Sequence, residues 1–345
     1  MSLRIGLGLF TGQLPAGSSR TFAQEYRETL ELVRLAEAVG FDSAWVSEHH
    51  GSSDGYLPSL LAMLAAFAAS TERILLGTGL VLAPLHDPLR LAEDAAVVDQ
   101  LSGGRLVLGL GLGWREEEFR MFGVPMHERA RRTEETIEVL RRAWTGRRFS
   151  FEGRAFAFDR VKVTPAPARP GGPPIYLGGY ADAALRRVGR LADGYIASAT
   201  PVDDLLGYVG IAESAARSVG RDPASLGLAL MQNAFVSTEA DPWSGIAEAV
   251  AHRVGAYDAW DEGADTPERD ELEIPPPNLV DLRASVPVGR PDEVIEALRP
   301  LVAPFADRPE LDLIVRLHYP GMDLDAASRA VELFAAEVAP ALKGS

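Results

Sequence analysis

Glu48-His49-His50 are the residues of this sequence best suited to chemistry. Imidazole changes charge near neutrality and can give or take a proton, so a histidine pair beside a carboxylate suits general acid–base catalysis. All three are candidate catalytic residues; the plain alternative is an incidental histidine pair. Further polar groups recur after other β-type runs: Thr11, His86-Asp87, Gln232-Asn233, and Arg316 with His318. Trp114 and Tyr180 add aromatic surface at two more such places. There is no cysteine, which excludes disulfides, thiolate metal sites and a cysteine nucleophile.

The elements that must position these residues alternate between short β-type runs and amphipathic helical runs, the pattern of a parallel sheet. Eight runs read as strands: 4–10, 43–48, 74–82, 105–112, 175–178, 195–197, 226–236 and 311–318. A capping box of Thr21 with Gln24 opens a helix that Gly40 ends, and further helices follow at 57–69, 89–101, 130–144 and 183–191. A last helix at 325–342 would cover strand one. Eight such units without an interdomain linker predict one closed (β/α)8 (TIM) barrel domain over residues 1–345. In such barrels catalytic groups collect at the C-terminal ends of the strands, where these polar residues fall.

Two stretches interrupt the rhythm. About sixty residues separate strand four from strand five, far more than an ordinary connection, and they contain a helix and a hairpin of 148–151 with 155–158. After strand seven, residues 258–273 are crowded with acid, and Pro275-Pro276-Pro277 follows. This second insertion reads either as a solvated loop or as a lid over the strand ends.

Alternation along the strands places glycines on one face: Gly6, Gly8 and Phe10 in strand one; Gly77, Gly79 and Val81 in strand three; Val107, Gly109, Gly111 and Gly113 in strand four. The leucines between them suit the helix layer, so the glycines would face the barrel interior. A slot for a flat ligand is one consequence. Small residues balancing large neighbours are the other. No Gly-x-Gly-x-x-Gly fingerprint is present. Gly178-Gly179-Tyr180-Ala181 runs from strand five into a helix N-terminus, a turn that suits a phosphate.

Composition bounds the partners. With 34 basic against 49 acidic residues the net charge is −15, which disfavours nucleic acid and anionic membranes. The most apolar helical run is shorter than the roughly 20 residues that span a bilayer, and the N-terminus reads directly into a strand. A cytoplasmic protein acting on a small molecule is the expectation.

Taken in order, several stretches resemble the bacterial luciferase-like monooxygenase superfamily. They are Gly40-Phe41-Asp42-Ser43-Ala44-Trp45-Val46-Ser47-Glu48-His49-His50, Asp99-Gln100-Leu101-Ser102-Gly103-Gly104-Arg105, Gly113-Trp114-Arg115-Glu116-Glu117-Glu118-Phe119, Pro173-Pro174-Ile175-Tyr176-Leu177-Gly178-Gly179 and Ala192-Asp193-Gly194-Tyr195. The resemblance implies a flavin at the strand C-termini, with His49 near its edge. It implies a backbone distortion across Gly77, Thr78 and Gly79 behind the ring, and phosphate contacts from Gly178, Gly179, Tyr180 and Ala181. Gly111 and Gly113 would complete the cofactor site, with Phe10, Trp114, Gln232, Arg316 and His318 lining a substrate pocket. Members often pair as homodimers through barrel helices. This chain departs from luciferase-type members at Leu112, where they carry arginine, and from many members at Tyr180, where they carry serine.

Two chemistries follow. One is a two-component monooxygenase that takes reduced FMN from a separate reductase and oxygenates a small organic substrate. The other is hydride transfer with the deazaflavin coenzyme F-420. Both dispense with a nicotinamide fingerprint, because electrons arrive already carried on a ring. A metal-dependent hydrolase using His49, His50, Asp87 and His318, and a non-catalytic flavin-binding barrel, are the remaining alternatives; a bound metal is not expected.

Overall fold

The computed structural model describes residues 3–261, 282–283 and 285–344. Eight parallel staves close on themselves. In chain order they are β1 (Leu3–Phe10), β2 (Ser43–Val46), β3 (Leu75–Thr78) continued by β4 (Val81–Leu82), β5 (Leu106–Gly111), β8 (Ile175–Gly178), β9 (Gly194–Ser198), β10 (Gly227–Asn233) and β13 (Leu311–Arg316). Pairing of β3 with β5 closes the circle, and this is a (β/α)8 barrel. Between β5 and β8 lie α4 (Glu116–Met121), α5 (Arg129–Ala143) and the hairpin β6 (Phe149–Glu152) with β7 (Ala157–Val161).

The helices begin and end where local chemistry requires. Thr21 and Gln24 form the reciprocal capping box of α1 (Phe22–Val39), and Gly40 ends it at φ +98°, a conformation that costs glycine little. Asp87 caps α3 (Pro88–Ser102) by accepting the N–H groups of Leu89 and Arg90. The predicted last helix is divided into α10 (Leu324–Leu333), a π-helical turn at Phe334–Val338 and α11 (Ala339–Lys343). It covers the base of the barrel as expected, with Phe334 against Phe41 and Lys343 Nζ 2.7 Å from Asp42.

The glycine faces do turn inward, but the space is filled. A Cβ on Gly77 would lie 2.1 Å from the Trp45 ring, and one on Gly8 would lie 2.8 Å from Trp45 Cβ. The indole of β2 therefore occupies what the glycines of β1 and β3 leave. Trp45 packs with Leu9, Val107, Tyr176, Ile196, Ala229 and Ile314 in the barrel interior. Small residues balancing large ones account for this level, not an open slot.

Alternation fails at two places. Leu9 and Leu80, assigned by alternation to the helix layer, belong to the interior cluster, whereas Phe10 and Val81 join the outer one. The peptides Gly8–Leu9 and Gly79–Leu80 are both cis, and the β1–β2 register shifts between Leu7 and Phe10. Phe10 thus packs edge-on against Phe67 of α2 (Leu60–Ser70), 5.9 Å between centroids, and is removed from the expected substrate pocket.

Strands two, seven and eight end earlier than expected. After Asn233 the chain leaves the barrel, and β11 (Phe235–Val236) pairs with β12 (Val288–Gly289). Between them α8 (Ala247–Asp261) runs into the acid-rich stretch that the sequence reads as a solvated loop or a lid, so 258–261 finish a helix. Residues 262–273 of that stretch, and the three prolines, lie outside the described residues.

Candidate active site

The mouth of the barrel is built where β2 stops. His49 follows it and is buried, 4% exposed. Its Nδ1 lies 2.9 Å from Glu118 Oε1 of α4, and its Nε2 lies 3.0 Å from the Tyr257 hydroxyl of α8. The same Glu118 oxygen accepts the His50 backbone N–H at 2.8 Å. Tyr257 Oη lies 3.1 Å from Tyr56 Oη, whose hydroxyl donates to Ser47 Oγ at 3.0 Å. Around the His49 ring stand Tyr56, Trp114, Tyr257 and Trp260, with centroids 4.8, 6.2, 5.4 and 4.9 Å away. Arg115 covers the outer side of Trp260 at 4.1 Å. The arrangement is a titratable chain inside an aromatic wall.

Its electrostatics favour charge separation. Burial alone would lower the His49 pKa, but Tyr257 and Glu118 outweigh it and raise it. Burial would raise the Tyr257 phenol, but the charges of His49, Arg253 and Arg316, with the Tyr56 hydrogen bond, bring it down to about 7. Both shifts favour the proton on the His49 side of the His49–Tyr257 hydrogen bond.

Glu48 and His50 form a separate unit. Glu48 Oε1 lies 2.6 Å from His50 Nε2 and 3.0 Å from His86 Nε2, while Oε2 accepts the Leu82 N–H at 2.9 Å. Burial would raise this carboxyl, but the two histidines hold it at about 2. Glu48 thus ties the end of β2 to the end of β4. Glu48, His50 and His86 also bring three potential ligand atoms together. The set proposed from sequence for a hydrolase is not assembled: Asp87 caps α3, and His318 faces Glu25 at 3.9 Å.

The predicted cofactor residues divide. Thr78 Oγ1 accepts the Gly109 N–H and donates to the Gly109 carbonyl, each at 2.8 Å. That hydroxyl bridges the staves where β3 gives way to β4, so its one proton is committed to the barrel and not to a ligand. Gly77 lies behind Trp45, and a Cβ at Gly79 would meet Leu9 and Met231. Gly111 and Gly178 both back onto Leu80. Gly113, at φ +73°, turns the chain toward Trp114, which is 37% exposed. Gly179, at φ +135°, leads through exposed Tyr180 to Ala181, the residue before α6 (Asp182–Leu191). Tyr180 donates to the Ser198 carbonyl at 3.1 Å, and Ala181 provides no side-chain cap.

Gln232 and Arg316 share a small cavity with Asn233, Ser198 and Arg253. His318 sits apart, buried between Phe10 and Glu25, its pKa pushed down to about 3 by burial and by the charges of Arg20 and Arg316.

Sequence reasoning missed Glu118, Tyr56, Tyr257, Trp260 and Arg253. Glu118 lay inside a quoted motif, but three consecutive glutamates gave no means to choose among them. Tyr257 and Trp260, three apart on one helical face, were obscured by the surrounding acid.

Residues 3–308 match the family described as luciferase-like monooxygenase. The chain belongs to that family. It is 29% identical to the 4-hydroxyprotoasukamycin monooxygenase of Streptomyces nodosus subsp. asukaensis over 99% of this chain and 93% of that one. It is 36% identical to the F420-dependent glucose-6-phosphate dehydrogenase of Nakamurella multipartita over 49% of this chain and 51% of that relative. This chain thus spans about half the length of that dehydrogenase. Among solved structures, the monooxygenase RslO1 from Streptomyces bottropensis superposes with a TM-score of 0.82 at 25% identity, covering 98% of this chain and 99% of that one. This luciferase-like chain is thus similar to proteins named for both chemistries. No helix among the described residues is long and apolar enough to cross a membrane.

Proposed function

We propose that this luciferase-like protein is a monooxygenase that receives reduced FMN from a separate reductase and oxygenates a small organic substrate. The observation that carries the reading is His49, held between Glu118 and Tyr257 inside a wall of aromatic rings. Oxygen activation needs water kept out and a proton delivered at a defined atom, and this chamber supplies both conditions. The 4-hydroxyprotoasukamycin monooxygenase aligns over nearly the whole chain and the deazaflavin-dependent dehydrogenase over about half, although solved structures named for either chemistry superpose over nearly all of it.

The donor set suits a flat ring that exchanges protons: two titratable groups stand among indole and phenol faces. Trp114 and Gly113 after β5 and Gly178–Ala181 before α6 would hold it. When bound, reduced flavin supplies the two electrons that activate dioxygen. Glu118 accepts from His49 Nδ1, which leaves Nε2 as the atom that exchanges a proton with Tyr257. Tyr56 and Ser47 extend the path away from the ring. Trp260 and Tyr257 of α8 cover His49, so admission of a ring requires this end of α8 to withdraw.

An anaerobic titration tests the proposal. Reduced FMN should bind at least about tenfold more tightly than reduced coenzyme F-420. Bound reduced FMN should also reoxidise on a time course distinct from free flavin once oxygen is admitted. Tighter binding of the deazaflavin would assign the chain to hydride transfer instead.

A further inference from the structure

Arg316 ends β13 inside the barrel mouth and is 3% exposed. Its Nη1 and Nη2 are both buried with no hydrogen-bond partner among the described residues. Arg253 of α8 lines the same cavity, and its Nε is likewise buried and unpartnered. The other polar groups there, Ser198, Gln232 and Asn233, are neutral. An arginine buried without a counter-charge is among the costliest arrangements a fold can hold. Burial, with the nearby charge of Arg253, pushes the guanidinium down only to about 10, so it stays protonated at neutral pH. Among the described residues no carboxylate bonds it, although the chain has 49 acidic residues against 34 basic ones.

We propose that the substrate carries a carboxylate, which docks on the Arg316 guanidinium with Arg253 facing it from α8. This rests on the reading of the mouth as the substrate site. A guanidinium fork matches the two oxygens of a carboxylate with two parallel hydrogen bonds. Gln232 and Asn233 add neutral groups beside it, so specificity comes from charge and shape together. The cavity measures about 20 Å³, room for one water, so the carboxylate enters as α8 yields. The same oxyanion chemistry could come from the cofactor, and the test separates the two sources.

The full-length protein, free of ligand, is titrated by calorimetry with benzoate, with its neutral analogue benzamide and with inorganic phosphate. Benzoate should bind saturably while benzamide does not. Arg316→Met should weaken benzoate by about thirtyfold or more, and Arg316→Lys, which keeps the charge but loses the fork, by less. Arg316→Met should also raise the ligand-free melting temperature by a few degrees, because it removes a buried charge whose Nη atoms have no hydrogen-bond partner among the described residues; an arginine serving only the scaffold would lower it. Reduced FMN affinity should stay within a few-fold in the same variant.

Equal binding of benzoate and benzamide would overturn the proposal. So would tighter binding of phosphate than of benzoate, or loss of reduced FMN affinity in Arg316→Met, which would give the oxyanion to the cofactor. A wild-type protein that takes benzoate but neither reduced FMN nor coenzyme F-420 would refute the proposed function and leave the carboxylate site standing.

Discussion

Glu118 Oε1 accepts from both the His49 ring, at 2.9 Å, and the His50 peptide N–H, at 2.8 Å. One oxygen from the helix inserted after β5 therefore sets the tilt of the histidine and the path of the chain beyond it. Barrel enzymes usually take their reacting groups from strand ends; here a strand-end residue is held by an insertion. Glu118→Gln keeps the shape but can no longer favour a protonated ring. Its expected effect is a loss of turnover of about 10- to 100-fold, with reduced-flavin affinity nearly unchanged, measured by steady-state rates beside an anaerobic titration.

The two histidines should separate in their effects. His49→Asn keeps a hydrogen-bonding group but cannot titrate, so turnover should fall by about 10²–10⁴-fold while cofactor affinity holds. His50 is bonded to Glu48, within the unit that ties β2 to β4. His50→Asn should cost melting temperature more than rate. The opposite pattern would mean that the catalytic proton belongs to the Glu48 unit.

Gly109 and Gly111 face the interior two residues apart, yet their substitutions should differ. A Cβ on Gly109 would stand 2.1 Å from the Thr78 carbonyl oxygen, which is backbone and cannot give. At Gly111 it would meet Leu80 side-chain carbons at 3.1 Å, which can turn aside. Gly109→Ala should destabilise by about 3 kcal/mol or more, and Gly111→Ala by much less. Urea unfolding of the pair decides it, and equal losses would refute the distinction.

His318 and Glu25 give stability a pH signature. His318 ordinarily titrates at 6.5 but in the fold only at about 3, so the unfolded chain binds the extra proton in between. Stability from this group is complete above 6.5 and lost as pH falls toward 3. Glu25 ordinarily titrates at 4.5 but in the fold at about 7, chiefly through burial, so the folded chain binds the extra proton there. That contribution is complete below 4.5 and lost as pH rises through 7. The two slopes, each about 1.4 kcal/mol per pH unit, oppose one another between 4.5 and 6.5. His318→Gln should expose the Glu25 slope, with unfolding free energy falling from pH 4.5 to 7. A flat profile in that variant would refute the assignment.

Trp260→Ala removes an indole that covers His49 and stacks under Arg115. Reduced flavin should associate faster by stopped flow, and less of the oxygen consumed should end in product. Unchanged association would show that α8 does not limit entry.

The barrel was legible because each stave carries its own pattern and its helix begins and ends on local signals such as the Thr21–Gln24 box. His49 was legible because it follows a strand. The facing of Phe10 was not, since alternation holds only while the backbone stays regular and the register shifts just before it. Tyr257, Arg253 and Glu118 meet His49 or its neighbours across sequence separations that no local period encodes.

Trp45 carries a consequence beyond its own packing. One indole on β2 occupies the room left by Gly77 of β3 and by Gly6 and Gly8 of β1. These four positions share a single volume, so none can drift alone during evolution. A descendant with a small residue at 45 must gain bulk at 77, 8 or 6 in the same lineage, and a designer replacing Trp45 inherits the same obligation. Inheritance in the interior of this barrel is collective.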